Sequence, residues 1–386
     1  MESIAESRLV VIGASVNIAS VAHGIGCRTV FVQKPGSPVE KLVDTRSNLY
    51  SMVDFVLRPL KPHAVVSLTE TGLLPAAIAA ERLGLPGVPP DVVTRLRDKS
   101  LMRAHIQGNL PDSTVRFATP TDGAEAAAIM RSWACEVIVK PRTGTGSSGI
   151  RRFSSPADLE HVGRLDSIIM EEYVIGREYS AETFSLGGAH TLLAVAEKRT
   201  SDRFIELGHM IPPSTLGPRD INQIESTVSE FLNCIGLRDG PAHTEFKISS
   251  DRVTIIESHN RVAGGRIPDL VQAVTGVDLK RWSLGWPLGL RDADCRTEPV
   301  APAAASAFVT AQPGRVLSVS RPSTLAKAAG AAHETVTLFV EPGDTVRELS
   351  CSFDRVACAT ATGATPDTAR ARAEELARGI TVTTGS

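Results

Sequence analysis

The sequence predicts a mixed α/β and α+β protein of several domains, and three observations carry that expectation. The first stretch of about ninety residues alternates strand-like and helix-like patterns. A Gly/Pro-rich connector at 84–90 then opens a central region of short strands and loops that runs to about residue 300. After a Pro/Ala stretch at 299–305, the remainder reads as β-hairpins closed by one Ala-rich helix. The expected domains are 1–95, 96–300 (halves 96–170 and 171–300) and 301–386. The chain has 386 residues, of which 42% are apolar and 22% charged, so each domain can bury an ordinary core.

Leu9-Val10-Val11-Ile12-Gly13 is a short buried strand followed by a helical stretch to about Gly26. Thr29-Val30-Phe31-Val32 is a second strand, and Ala64-Val65-Val66-Ser67-Leu68 leads into a helix over Thr71 to Leu83. This alternation implies βαβ units on a parallel sheet. Gly13 ends a strand at a turn, but no full GxGxxG surrounds it, so a plain strand–turn–helix junction is expected rather than a dinucleotide site. Between Arg219 and Ile235, Ile221, Ile224, Val228, Phe231, Leu232 and Ile235 recur at helical spacing and mark a core face. Gln312-Pro313-Gly314 and Glu341-Pro342-Gly343-Asp344 read as hairpin turns. The closing helix spans Pro366 to Arg378, with Thr365 placed to cap it and Gly379 to end it.

Forty-one basic against 43 acidic side chains leave a formal charge of −2, which argues against nucleic-acid and membrane-surface partners. No apolar run reaches the roughly 20 residues a bilayer requires. Met1 to Glu6 is acidic where a signal peptide is basic, so a cytoplasmic location is expected. The six cysteines are scattered without a CxxC pair, which suggests neither zinc nor a disulfide framework.

Three segments carry the chemistry. In Val137-Ile138-Val139-Lys140-Pro141-Arg142-Thr143-Gly144-Thr145-Gly146-Ser147-Ser148-Gly149, a β-branched strand delivers a lysine into a glycine–serine loop. Glycines let the backbone fold around an anion, so successive N–H groups, the hydroxyls of Ser147 and Ser148 and the charge of Lys140 can cradle phosphate. Only nine lysines stand beside thirty-two arginines, so a lysine at this place is informative. Next, Ile168-Ile169-Met170-Glu171-Glu172-Tyr173-Val174-Ile175-Gly176-Arg177-Glu178 offers paired acids and then a third, which suit a nucleoside's amino and hydroxyl donors. Finally, Ala242 to Ile248 and Val253 to Pro268 form two strands whose hairpin would bring Glu245 and Glu257 together. Carboxylates that close repel unless a cation lies between them, and hard oxygen donors suit Mg²⁺ bridging to phosphates. Arg261 follows four residues later, positioned to clamp phosphate or carboxylate.

With these elements in this order the chain resembles an ATP-grasp ligase over nearly its whole length, in the L-amino-acid-ligase and biotin-carboxylase-like branches. The resemblance implies an N-terminal βαβ domain, a two-part ATP-grasp core and a small β-rich C-terminal domain. It implies ATP contacts at Lys99 (in Asp98-Lys99-Ser100-Leu101-Met102-Arg103), at Lys140 and at Gly144, Gly146, Ser147, Ser148 and Gly149 of the flap. Glu171, Glu172 and Val174 fall at the adenine hinge, and Glu178 at the ribose. Glu245 and Glu257 correspond to the magnesium carboxylates, with Mn²⁺ as a substitute metal, and Arg261 to the phosphate-contacting arginine. Where the family commonly has asparagine, two residues past the second carboxylate, this chain has His259 and then Asn260. Imidazole is a poor Mg²⁺ ligand, so His259 either contacts substrate or packs.

The resemblance further implies activation of a carboxylate as an acyl phosphate, then amide formation with an amine, releasing ADP and phosphate. Both substrates would be small molecules of amino-acid type, in a specialised-metabolite or antibiotic pathway, and a homodimer is common in the family. Ile205 to Pro213 resembles the loop that enters the acceptor pocket. His209 on it would deprotonate the amine or hydrogen-bond to it, and Gly264 and Gly265 would give N–H donors to a carboxylate. Two alternatives compete: an enzyme that uses bicarbonate or a sugar amine, and a non-catalytic nucleotide-binding regulator.

Overall fold

The computed structural model of the chain describes residues 4–32, 46–249, 252–322 and 333–385. Its N-terminal part is a three-stranded parallel sheet in which Arg8–Ile12 lies between Arg28–Val32 and Ala64–Val66. Leu9, Val10, Val11 and Ile12 are all buried, as expected for a strand covered on both faces. Helix Glu70–Leu83 starts so close to this sheet that a Cβ on Gly72 would lie 2.5 Å from the Ile12 carbonyl oxygen. Glycine there lets the helix start reach the sheet's carboxyl end, and so aims Glu70 at the central cleft.

The central part contains two antiparallel sheets. The smaller has the order Phe117–Ala118, Ile168–Glu172, Val137–Pro141, Arg151–Phe153 and is backed by helix Gly123–Trp133. The larger has eight strands, in the order Arg252–His259, Gly240–Ser249, Arg177–Leu186, Ala189–Thr200, Glu206–Ile211, Ala303–Val309, Ala357–Gly363, Thr335–Leu338. Three of its strands are 10, 12 and 10 residues long, so the short strands expected through the central region are too short a description. Helix Pro218–Ile235 buries the predicted face Ile224, Val228, Phe231, Leu232 and Ile235, while Ile221 packs at its margin.

The C-terminal part departs from the expected hairpins. Gln312-Pro313-Gly314 does not join neighbours: Ala303–Val309 pairs with Glu206–Ile211 and Ala357–Gly363, whereas Gly314–Ser320 pairs with Thr345–Val346 and Thr381–Gly385. Glu341 to Asp344 likewise links strands of different sheets. Burial decides the partners: six of the seven residues of Ala303–Val309 are buried and belong inside a sheet, while Gly314–Ser320 is largely exposed. Helix Pro366–Arg378 has the predicted bounds, and the Thr365 hydroxyl accepts the Thr368 N–H. Its Ala369 and Ala373 pack on Ala303, Ala305, Ala307, Ala359 and Ala361, small residues that allow a close helix–sheet approach. Among the described residues all six cysteines are free, and no helix is long and apolar enough to cross a membrane.

Candidate active site

The two antiparallel sheets and the N-terminal sheet meet around a cavity of about 380 Å³. Asp98 caps the helix Lys99–Ile106 by accepting the Ser100 and Leu101 N–H groups. It also accepts from the Arg142 guanidinium (2.6 Å), while the Lys99 N–H donates to the Arg142 carbonyl (2.9 Å), so this helix start is tied to the root of the glycine loop. Lys99 Nζ then lies 2.8 Å from Glu257 Oε2 and 3.4 Å from the Gly144 carbonyl. Lys140, at the end of Val137–Pro141, lies 2.8 Å from Glu171 Oε2. Arg103 Nε takes the other Glu171 oxygen at 2.8 Å and spends its remaining donors on the Ile255 and Ile256 carbonyls at 2.6 and 2.9 Å. This fully buried arginine therefore connects the small sheet to the large one. Burial disfavours the charged Glu171 carboxylate, but Arg103 and Lys140 outweigh it and hold the group at about 2.

The expected hinge residues Glu171 and Glu172 line the cavity, with their carboxylates paired to cations. The Glu171 carboxylate is held by Arg103 and Lys140, and that of Glu172 by Arg116 at 2.7 Å. Tyr173 and Val174 line the cavity as well, and the Val174 carbonyl accepts from Lys247 Nζ at 3.2 Å. Glu178 lines the cavity, 3.0 Å from Lys198 Nζ. Lys198 also contacts Glu206 and Glu245, each at 2.8 Å. Burial opposes its charge, but Glu206, Glu245 and Glu178 more than compensate and push the ammonium well above its ordinary value.

Glu245 and Glu257 stand directly opposite each other across the paired strands, and His243 opposes His259 two rungs away. The period of two puts all four on one face. Each histidine braces its neighbouring carboxylate: His243 Nε2 is 3.1 Å from Glu245 Oε1, and His259 Nε2 is 3.4 Å from Glu257 Oε1. His259 Nδ1 faces Glu70 Oε2 at 3.0 Å, and Arg261 Nε donates to the same oxygen at 3.0 Å. His259 therefore lies between the two domains, with Nδ1 toward Glu70 and Nε2 toward Glu257. Among the described residues no group of three His, Cys, Asp or Glu side chains is spaced as a metal cage. The paired carboxylates, with Lys99 and Lys198 balancing their charge, fit an ion such as Mg²⁺ that draws its other ligands from phosphate and water.

His243 supplies a pH dependence. Burial works against the charged ring, but Glu182 at 2.7 Å and Glu245 overcome it and raise the group to about 9. A raised value means that the folded state is favoured by protonation. That contribution, on the order of 3 kcal/mol, is complete below about pH 6.5 and disappears as pH climbs through about 9. The expected result is a melting temperature that falls between pH 6.5 and 9.5, with a shallower fall in His243→Gln; equal slopes in the two proteins would contradict it.

The flap is held down. Gly144, Gly146 and Gly149 all have positive φ, as does Ser147. The Ser147 hydroxyl, expected on phosphate, donates to the Phe204 carbonyl at 2.7 Å, and the Ser352 N–H donates to the Gly146 carbonyl at 2.9 Å. Gly144, Gly146 and Ser148 line the cavity, whereas Gly149 lies against Pro141 behind it. Gly264 and Gly265 also line it, beside Arg261. His209 lies on the strand Glu206–Ile211 and not on a loop, because this segment is needed to bridge Ala189–Thr200 and Ala303–Val309. Its ring is sealed from solvent, with Nδ1 3.0 Å from the Gly265 carbonyl and Nε2 3.5 Å from Glu206 Oε2. A Cβ on Gly265 would strike that ring at 2.4 Å.

Sequence reasoning missed Lys198, Glu206, Glu70, Lys247 and Arg355, all of which line the cavity. The scarcity of lysine could have found two of them: four of the nine lysines in the chain (99, 140, 198 and 247) converge on this cavity.

Residues 160–269 match the ATP-grasp domain family. The chain carries an ATP-grasp domain. Residues 307–385 match the L-amino acid ligase C-terminal domain 2, so this ATP-grasp chain ends in a module named for that ligase group. An L-amino acid ligase from Bacillus licheniformis superposes on it with a TM-score of 0.82 at 20% identity, covering 99% of both chains. The biotin carboxylase domain of the Hydrogenobacter thermophilus 2-oxoglutarate carboxylase, solved with MgADP and bicarbonate, superposes with a TM-score of 0.71 at 17% identity over 97% of this chain and 90% of that one. Among curated proteins, the alanine–anticapsin ligase of Bacillus subtilis is 26% identical over 247 residues, 56% of this chain and 52% of that protein. The ATP-grasp chain spans about half the length or less of the curated relatives it matches.

Proposed function

We propose that this protein is an ATP- and Mg²⁺-dependent carboxylate–amine ligase that joins two amino-acid-type substrates and releases ADP and phosphate. The observation that carries the reading is the in-register pair Glu245 and Glu257 facing the same cavity as Lys99, Lys140 and the glycine flap. Lys99 and Lys140 would balance the triphosphate, Glu178 would accept the ribose hydroxyls, and the 172–174 backbone would meet the adenine edge. Glu245 and Glu257 would hold Mg²⁺, which supplies charge neutralisation to the β- and γ-phosphates. A substrate carboxylate oxygen, held near Arg261 and the Gly264–Gly265 backbone, attacks the γ-phosphorus, and ADP leaves. The amine nitrogen then attacks the acyl carbon, the C–O bond to phosphate breaks, and the nitrogen loses a proton. The flap, pinned at Phe204 and Ser352, keeps water from the acyl phosphate. His209 acts from behind Glu206, by fixing its carboxylate, rather than on the amine itself.

The kinship with alanine–anticapsin ligase supports a pair of amino-acid-like substrates and a place in specialised metabolism, and a homodimer, the form of the biotin carboxylase domain described above, accords with the reading. The test is ADP release with ATP and Mg²⁺ against all pairs of the standard amino acids. Turnover confined to particular pairs is expected. Silence across that panel, with a signal from bicarbonate, would replace the reading with a carboxylase-type one.

A further inference from the structure

A short turn near the C-terminus places a cation in the cleft that neither the nucleotide nor the metal accounts for. Asp354 organises this turn: its Oδ2 accepts the Ser350 N–H at 3.0 Å, the Ser350 hydroxyl at 2.8 Å and the Cys351 N–H at 3.0 Å. Arg355 follows, and its side chain is only 10% exposed. Its Nε donates to the Ser352 carbonyl at 2.6 Å, one terminal nitrogen donates to the Glu206 carbonyl at 3.1 Å, and the guanidinium carbon stacks 3.7 Å from the Phe308 ring centre. The other terminal nitrogen has no hydrogen-bond partner among the described residues, and the side chain lines the cavity. Glu206 offsets this charge only in part. Its Oε2 lies 3.7 Å from Arg355 and is shared with His209, and its Oε1 is taken by Lys198. A nearly buried guanidinium, clamped on three sides and open on the fourth, is a prepared anion site, and its planar fork suits a carboxylate.

Resting on the ligase reading above, we propose that Arg355 binds the carboxylate of the amine-bearing substrate, so that the amine must come from an amino acid and not from a simple amine. Of the anions in that reaction, the triphosphate is met by Lys99, Lys140 and the metal carboxylates, and the carboxylate to be activated by Arg261. The acid group of the second substrate is the one left over. The same turn touches the flap: Phe353 sits where a Cβ on Gly146 would strike its ring at 2.8 Å. Seating that carboxylate on Arg355 therefore places the second substrate directly under the closed loop.

The experiment offers each standard amino acid as the carboxylate donor and each as acceptor, the acceptor either as the free acid or as its primary amide. It follows the mixed amide product by mass spectrometry in wild type, Arg355→Met and Arg355→Lys. Wild type should prefer free acids. Arg355→Met should lose at least ~10-fold in kcat/KM for the acids, as expected for a charge-assisted hydrogen bond, with the amides unaffected. Arg355→Lys should recover part of the loss, and the affinity for a fluorescent ATP analogue should be the same in all three. Equal losses on acids and amides, or weakened nucleotide binding, would overturn the assignment of Arg355 while leaving the ligase reading in place. No coupling of any pair by wild type, with nucleotide still bound, would overturn the ligase reading itself.

Discussion

Glu257→Gln should lower Mg²⁺-dependent ADP formation at least ~100-fold and leave the protein folded. Glutamine keeps the shape of the side chain but removes one of the two charges that face each other across the strands. A neutral amide is a weak Mg²⁺ ligand beside a single remaining carboxylate. Lys99 loses its partner at 2.8 Å, so the ammonium expected on the phosphates is also less firmly placed. Stability should change little, because two effects oppose. The Lys99 pair is lost, but the repulsion by which Glu257 raises the Glu245 pKa is relieved. ADP release and thermal melting on the same preparation check both halves. Wild-type turnover in the variant would remove Glu257 from the metal site.

Arg103→Met should have the largest effect on stability, lowering the melting temperature by roughly 5 °C or more. Arg103 is wholly buried and matches three acceptors at once: the Glu171 carboxylate and two carbonyls of the opposite sheet. Methionine fills much of the volume but leaves the two carbonyls unpaired and Glu171 with Lys140 alone. Each unsatisfied group costs about 1–3 kcal/mol, and half a broken buried pair about 3–5 kcal/mol. Adding Glu171→Leu should not recover the loss, because it strands the buried Lys140 ammonium that pairs with Glu171 at 2.8 Å. Melting temperatures of the three proteins decide it, and an unchanged single variant would mean that Arg103 does not connect the sheets energetically.

What could be read in advance followed the range over which each signal acts. Glu245 and Glu257 were legible because hairpin pairing and a two-residue repeat are local, and Lys140 because its glycine loop is contiguous with it. The helix Pro218–Ile235 announced itself through its buried face. Glu206 and Arg355 gave no comparable sign, and Lys198 only the rarity of its residue type, since each sits in an ordinary strand or turn and acquires meaning from the partners that the fold brings to it. The ion pairs of the acids at 171 and 172 were hidden for the same reason: Arg103 and Arg116, which hold them, are more than fifty residues away. His209 falls in a segment, Ile205 to Pro213, whose resemblance to an acceptor-pocket loop suggests a loop, and nothing local reveals that the large sheet needs a strand there. Gln312-Pro313-Gly314 has the composition of a turn, but strand partners are chosen by burial rather than by the nearest bend.

The strand Ala303–Val309 is stitched by hydrogen bonds to Glu206–Ile211, which itself delivers Glu206 to the cleft. A chain severed after residue 300 would leave Glu206–Ile211 as a raw margin, open to adhesion with any neighbouring molecule offering an extended segment. Grafting the nucleotide-handling half of this protein onto a foreign tail therefore demands a donor strand of matching small side chains, and no flexible tether can take its place.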